Sequence, residues 1–384
     1  MQNVYITDLA AFLPNNPVTN EEMEERLGMN RGLPSRTKKI ILASNGINTR
    51  YYAIDPGSRE ITHTNARLAA EAIRRLQPFE DFTPKNIDCL CCGSSSPDQL
   101  MPGHASMVHA ELGETPCEIV STAGICLSGV TALKYGWMNV GTGLSSNAVA
   151  TGSELASTFL RSEFLGKRPR QEKIDQLGKK PALSFEADFL RWMLSDGAGA
   201  AFLASEPGRK SQSLKIDWID IVSHAHRREP CMYAGACKDK KGHFTGWREC
   251  SSLTDALNRE FFSVKQDARL LNRLILTTVV DESLPRIIET HNLNPDDISW
   301  FLPHYSSDYF RIPLYEHLAA IGFTIPYDRW FTNLAYKGNT GSASIYIIME
   351  ELLKSGRLRQ GESIMCFIPE SGRFSTAYMH LTVV

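Results

Sequence analysis

The chain has 384 residues, 42% of them hydrophobic and 22% charged, with a formal net charge of −2, so it carries no field that would gather nucleic acid or an anionic lipid surface. No apolar run approaches the roughly 20 residues that a membrane-spanning helix needs, and the start MQNVYITDLAAFLPNN lacks the basic region and apolar stretch of a signal peptide. Nine cysteines, an odd number scattered along a long chain, fit reduced thiols in a cytoplasm better than a secreted disulfide framework.

An early apolar strand, NVYITDLAAFLP, is followed by TNEEMEERLG, where Thr19 is expected to cap a short helix with acids in its first turn. TNARLAAEAIRRL, at about 64–76, reads as a longer helix. IDCLCCG and the later SIMCFI are continuous apolar runs, the pattern of strands buried on both faces and covered by helices. Cys89, Cys91 and Cys92 therefore read as core. Between these runs, IVSTAGICLSGVTALKYG sets Cys126 among small residues at a strand-to-helix junction. DGAGAAFLASEPGRK is a Gly/Ala strand running into a polar turn, and a boundary between halves is placed near Gly208, giving 1–208 and 209–384. Cys231, Cys237, His243 and Cys250 lie in a polar stretch without the paired spacing of a zinc site.

The most informative feature is an internal duplication. Residues 82–113 and 293–322 each run through a Pro-containing turn, an Ile-led apolar strand, a Ser-rich loop and a helix ending in Gly. The units that follow also correspond: a small-residue loop, a helix, a Gly-containing turn and a strand. Cys126 precedes Val149 in its strand by the same interval that separates Ser342 from Met365. Two copies imply two similar α/β halves packed together, too few for a solenoid. Two segments have no counterpart in the other half, one at 159–195 and one at about 224–272. Both read as insertions that shape a pocket or an interface.

Ligands in such folds gather at the carboxyl ends of strands, where the loops bearing Cys126, His304 and Asn339 would emerge. Cys126 is either a small buried residue or a nucleophile whose thiol is acidified by a helix N-terminus. His304, after the strand in SWFLPH, is a core histidine or a group that holds a proton or donates to an oxyanion. Asn339, in YKGNTGSAS, is a left-handed turn residue or an amide donor aimed at a carbonyl. Together they form the set that thioester chemistry requires: a thiolate to accept an acyl group, and two neutral donors to steady an enolate.

From GINTRYYA (46–53) through STAGICLSG, TGSELAS and SDGAGAAFL to FLPH, KGNTGSAS and LRQGESIMCF, the chain resembles the β-ketoacyl-acyl carrier protein synthase III group of the thiolase superfamily. That resemblance implies a thiolase-like α/β fold of two duplicated halves, layered α-β-α-β-α. It implies Cys126 as the acylated nucleophile and His304 with Asn339 as the decarboxylation and condensation pair. An oxyanion hole would come from the backbone N–H of Cys126 and of a glycine in the last loop, Gly372 being the nearest match. The resemblance further implies a homodimer, a tunnel for the phosphopantetheine arm of coenzyme A or an acyl carrier protein, and no metal or redox cofactor.

The chain departs from the family's pattern in two places. After His304 stand Tyr305, Ser306 and Ser307 where the family has Gln-Ala-Asn, and PESGRF, with Glu370 and Arg373, replaces the family's glycine triplet. With the longer insertion at 159–195, these differences suggest a specialised branch, one candidate resembling the ketosynthases of dialkylresorcinol and flexirubin pathways, which join two acyl thioesters into a cyclohexanedione. The alternatives are transfer of the acyl group to an oxygen or nitrogen nucleophile, housekeeping fatty-acid initiation, and a non-catalytic scaffold. Basic residues in GKRPRQEKIDQLGKK (166–180) suit an acidic carrier protein, or form a solvated face.

Overall fold

A computed structural model describes residues 1–29, 35, 37–113, 115–162, 189–209, 212–239 and 241–384. The basic segment 166–180 lies outside the described residues. The strands of the main sheet are β1 (Tyr5–Phe12), β2 (Cys89–Ser94), β3 (Glu118–Ala123), β4 (Asn147–Glu154), β5 (Gly197–Ala204), β6 (Leu214–Ser223), β7 (Trp300–Pro303), β8 (Ser363–Glu370) and β9 (Ser375–Val383). Among the helices, α1 (Asn65–Arg74), α2 (His104–Leu112), α3 (Leu127–Gly141), α4 (Ala268–Leu276), α5 (Arg311–Ala320) and α6 (Ser344–Lys354) frame the core.

The duplication is explicit in the pairing. In the first half the order is β1-β5-β4-β2-β3, and in the second it is β6-β9-β8-β7. Each half begins with two antiparallel pairs and continues in parallel. The halves join where β1 meets β6, at Tyr5↔Lys215 and Ile6↔Leu214. Val149 stands between Leu90 and Phe202, and Met365 between Phe301 and His380, so the matched sequence interval is a matched register. The strand corresponding to β3 is reduced in the second half to a single parallel bridge, Phe301↔Trp330. Gly208 falls in the connection between β5 and β6.

The apolar runs are explained by what covers each face. Along β2, Cys89 and Cys91 enter an inner core while Leu90 and Cys92 enter an outer one. Along β8, Ile364, Cys366 and Ile368 face the inner core, and Met365 and Phe367 the outer core of the second half. Both faces are covered, so alternation of polar and apolar residues disappears. Helices α3 and α6 fill the inner layer and touch strands of both halves. Helices α1 and α2 cover one outer face, and α4 with α5 the other. The layering is α-β-α-β-α.

Local signals held unevenly. Thr64 caps α1 as its hydroxyl accepts the Arg67 N–H at 3.2 Å. Thr19 does not cap a helix: it ends a two-residue strand, Val18–Thr19, and its N–H and hydroxyl both donate to the Glu22 carboxylate at 2.8 and 2.9 Å. The helix there is only Met23–Leu27, with Glu22 at its N-cap. A carboxylate outcompeted the helix start for the hydroxyl, and the helix begins after it. Both helices that close the repeated unit, α2 and α5, end at glycines in the left-handed region, Gly113 (φ +68°) and Gly322 (φ +75°), where a β-carbon would be strained.

Candidate active site

The turn after β3 is three residues long, and Cys126 stands at the N-cap of α3 with helical dihedrals. Small residues let this helix start sit deep. A β-carbon on Gly129 would lie 2.3 Å from the Ser342 carbonyl oxygen, and one on Gly93 would lie 2.2 Å from that of Ser128. Neither position tolerates a side chain, so α3 is seated against β2 and against the turn that precedes α6.

His304 follows β7, and its N–H donates to the Phe367 carbonyl at 2.8 Å. The residue is 4% exposed, and burial alone lowers its pKa to about 4, so the imidazole is neutral at pH 7. Asn339 follows a short helix, Leu334–Lys337. Its N–H donates to the Met193 carbonyl (3.0 Å), its own carbonyl accepts from Ser195 N–H (2.8 Å), and its Oδ1 accepts from Gly341 N–H (3.0 Å). The residue is not left-handed; positive φ values occur at Gly338 and Gly341 beside it. Turn residue and amide donor are therefore compatible roles, since the turn uses Oδ1 and leaves Nδ2.

Cys126, His304 and Asn339, drawn from both halves, line one cavity of about 380 Å³. Its far walls are apolar, with Phe159, Phe189, Leu190 and Leu194 from the flanks of the first insertion. Met232, Val264, Leu271, Ile275 and Leu276 come from the second insertion and α4. Both insertions thus shape the pocket through the residues described. Of the HYSS departure, Tyr305 and Ser306 line the wall, and Ser307 turns away to accept the Tyr309 N–H at 3.3 Å.

Two carboxylates stand by the nucleophile, and they revise the expected electrostatics. Glu154, at the end of β4, accepts from Ser95 N–H and hydroxyl, from the Ser96 hydroxyl and from Ser342 N–H, at 2.6–3.2 Å. It ties the loops of both halves together and faces the cavity. Glu370 ends β8 and accepts the N–H groups of Ile125 (2.9 Å) and Leu127 (3.1 Å). Burial raises the pKa of both. Burial, then the charges of Glu370 and Glu154, push the Cys126 thiol well up. The expected acidification by the helix N-terminus is outweighed, first by burial of the thiol and then by the carboxylate that occupies that terminus.

Gly372 is not among the residues that line the cavity; Pro369 and Ser371 of its loop are. Its carbonyl accepts the Cys231 N–H at 2.8 Å, and a β-carbon on it would meet the Ile125 side chain at 3.0 Å. Glu154 escaped the sequence reading although TGSELAS was singled out; an acid closing a buried strand is the signal that would have found it. Glu370 was visible as a departure, but its contact with the start of α3 links residues more than 240 apart in sequence and no local pattern carries it. Cys231, Cys237, His243 and Cys250 form no metal cluster, and none of three or more such ligands occurs among the described residues. No helix among them is long and apolar enough to cross a membrane.

Comparison with known proteins agrees with this architecture. Residues 288–368 match the family model for the C-terminal part of 3-oxoacyl-[acyl-carrier-protein] synthase III. The chain is 26% identical over 366 residues to a β-ketoacyl-[acyl-carrier-protein] synthase III of Clostridium perfringens, with 95% of both chains covered. Among solved structures, a tetronic acid condensing enzyme superposes with a TM-score of 0.74 at 22% identity, over 99% of both chains. A variant of Xanthomonas campestris OleA with bound lauric acid and lauroyl-CoA gives 0.72 at 19% identity, again over 99% of both.

Proposed function

We propose that the chain is a ketosynthase III-like condensing enzyme of thiolase fold, which joins two acyl thioesters by a carbon–carbon bond through an acyl-Cys126 intermediate. The observation that carries the reading is the convergence of Cys126, His304 and Asn339 on one apolar cavity. An apolar pocket beside a sulfur suits a fatty acyl chain, with the pantetheine arm reaching in from the surface.

In the first step Cys126 Sγ attacks the carbonyl of an acyl thioester. The carbon–sulfur bond to pantetheine breaks, and the thiol proton leaves with the departing pantetheine sulfur. A second thioester then forms a carbanion at its α-carbon, by loss of carbon dioxide or of a proton that passes to a base and returns to the Cys126 sulfur when that sulfur is released. The negative charge settles on its carbonyl oxygen, where neutral His304 and the Asn339 Nδ2 donate without the repulsion a carboxylate would bring. The carbanion attacks the acyl-Cys126 carbonyl, the new carbon–carbon bond forms, and the Cys126 sulfur is released.

These steps use sulfur, imidazole and amide groups and call for no metal or redox cofactor. The departures at 305–307 and 369–374, with the pocket-lining insertions, support a specialised lipid or polyketide role in which a second carbon–carbon bond between the joined chains, formed with loss of the remaining thiol, closes a cyclohexanedione that leads to a dialkylresorcinol. An acyl carrier protein is the expected bearer of at least one thioester. A homodimer is also part of the reading: β3 is an edge strand with Ile119 37% exposed, and an exposed apolar edge calls for a partner.

Intact-mass measurement after incubation with acyl-coenzyme A and acyl-carrier thioesters of graded length is the direct test. A single acyl adduct is expected, absent in Cys126→Ala. Full acylation of that variant overturns the assignment of the nucleophile. An ester or amide product, in place of a diketone, overturns the condensation.

A further inference from the structure

The chemistry above uses neither carboxylate beside the nucleophile; Glu154 is held by four donors, and Glu370 is the more loosely held of the two. Glu370 Oε2 takes the N–H groups of Ile125 and Leu127, the backbone donors on either side of Cys126. The same oxygen lies 3.4 Å from where a β-carbon on Gly124 would stand. Among the described residues no cation pairs with Glu370, and only burial and these two N–H groups act on its carboxyl. Arg373, the nearest basic residue in its loop, is engaged elsewhere, its Nε donating to the Arg228 carbonyl at 2.9 Å.

We propose that Glu370 is a positioning residue for Cys126: in the resting enzyme its carboxylate occupies the donors flanking the nucleophile, and the carbonyl oxygen of an incoming acyl thioester displaces it. The proposal rests on the reading of Cys126 as the acylated residue. A helix start presents partial positive charge and unsatisfied N–H groups, which favour an anion. A carboxylate tethered there is an internal stand-in for the oxyanion that forms during acyl transfer. While it remains, it cancels the field that would otherwise acidify the thiol, and Cys126 rests as a thiol.

The other groups facing Cys126 do not serve this purpose. His304 is neutral, since burial holds its pKa to about 4. Glu154 is fixed by four donors from both halves. Glu370 has two donors on one oxygen, and its Oε1 takes no hydrogen bond among the described residues. It is the carboxylate that can leave. The exchange also gives selectivity: an acyl donor is loaded only when its carbonyl reaches the donors that Glu370 holds, so small alkylating agents and water meet a protonated sulfur.

The test is the rate of alkylation of Cys126 by iodoacetamide against pH, read by peptide mass spectrometry on the full chain. In Glu370→Gln the midpoint is expected to fall by about one pH unit, which is roughly a tenfold faster reaction below the midpoint. Glu370→Asp keeps the charge but withdraws it by one methylene, and its midpoint is expected between the two. A folded Glu370→Gln with the wild-type midpoint overturns the proposal; should that variant fail to fold, a wild-type midpoint in Glu370→Asp does so. Acyl loading of the wild-type protein by dodecanoyl-coenzyme A is measured alongside. Loss of loading at Cys126 overturns the proposed function itself, whereas normal loading with an unmoved midpoint overturns only the role of Glu370.

Discussion

The Tyr346 hydroxyl on α6 donates to the Gly129 carbonyl on α3 at 2.7 Å, between two fully buried segments. This bond links the helix that begins at Cys126 to the helix that follows Asn339, so it sets the distance between the two halves of the site. Close approach is possible because Gly129 has no side chain to meet the Ser342 carbonyl. Gly129→Ala must push backbone against backbone and is expected to destabilise the fold by roughly 2 kcal/mol or more. Tyr346→Phe loses only the hydroxyl bond, at about 1 kcal/mol. Urea unfolding of both variants checks the order; a Gly129→Ala protein as stable as wild type would mean that the helices can separate freely.

His304 gives a pH dependence with a definite sign. Its folded pKa is about 4, against 6.5 for the ordinary side chain. Between those values the unfolded chain binds a proton that the folded chain refuses, so stability at this site falls as pH drops from about 6.5 to about 4 and is unaffected above. The full effect is about 3 kcal/mol as an upper bound. His104 is also held to about 4 by burial, and Asp196, raised to about 6 by burial, acts in the opposite sense. The readout is therefore a difference: His304→Asn is expected to lose less stability than wild type between pH 6.5 and 4.5. Equal slopes for the two proteins would place His304 in contact with water.

Much of this architecture is legible in the sequence because the repeat is carried by local chemistry. The paired Pro turns, the doubly buried strands and the terminal glycines each act within about ten residues, and they fix where Cys126 and His304 emerge. Thr19 failed because a nearby carboxylate, Glu22, competed for the same donors. Gly372 was placed by analogy with a small-residue loop, yet Glu370 now reaches the start of α3 and Gly372 packs behind Ile125. The acidity expected of Cys126 fails first because the thiol is buried and then because Glu370 and Glu154 stand beside it. A helix terminus is visible in sequence, but the charge that caps it comes from the far end of the chain.

The apolar wall contributed by α4 makes chain length a property of single residues. Leu271 is 3% exposed and lines the cavity that Cys126 also lines. Leu271→Trp adds volume into that space, at a cost of about 1–3 kcal/mol in stability. Short acyl thioesters are expected to load Cys126 as in wild type, while long ones load much more slowly. Competition between thioesters of two lengths, followed by intact mass, compares them in one tube. An unchanged preference would move the acyl chain to another wall.

Asn339 separates the two half-reactions. In Asn339→Asp the shape and the Oδ1 acceptor for Gly341 N–H are kept, so the turn is expected to survive. The amide donor is replaced by a third carboxylate in a cavity that already holds Glu154 and adjoins Glu370. Loading of Cys126 does not use the Nδ2 donor, and acyl-enzyme should still accumulate. Condensation does use it: removing one donor to a developing oxyanion typically costs about 10²–10³ in rate, and a negative charge in its place makes the loss larger. Single-turnover mixing of the acylated variant with the second thioester distinguishes the steps. Acyl-enzyme that persists without product is the expected result. Product formed at the wild-type rate would remove Asn339 from the condensation step and leave it as the turn residue that its Oδ1 already makes it.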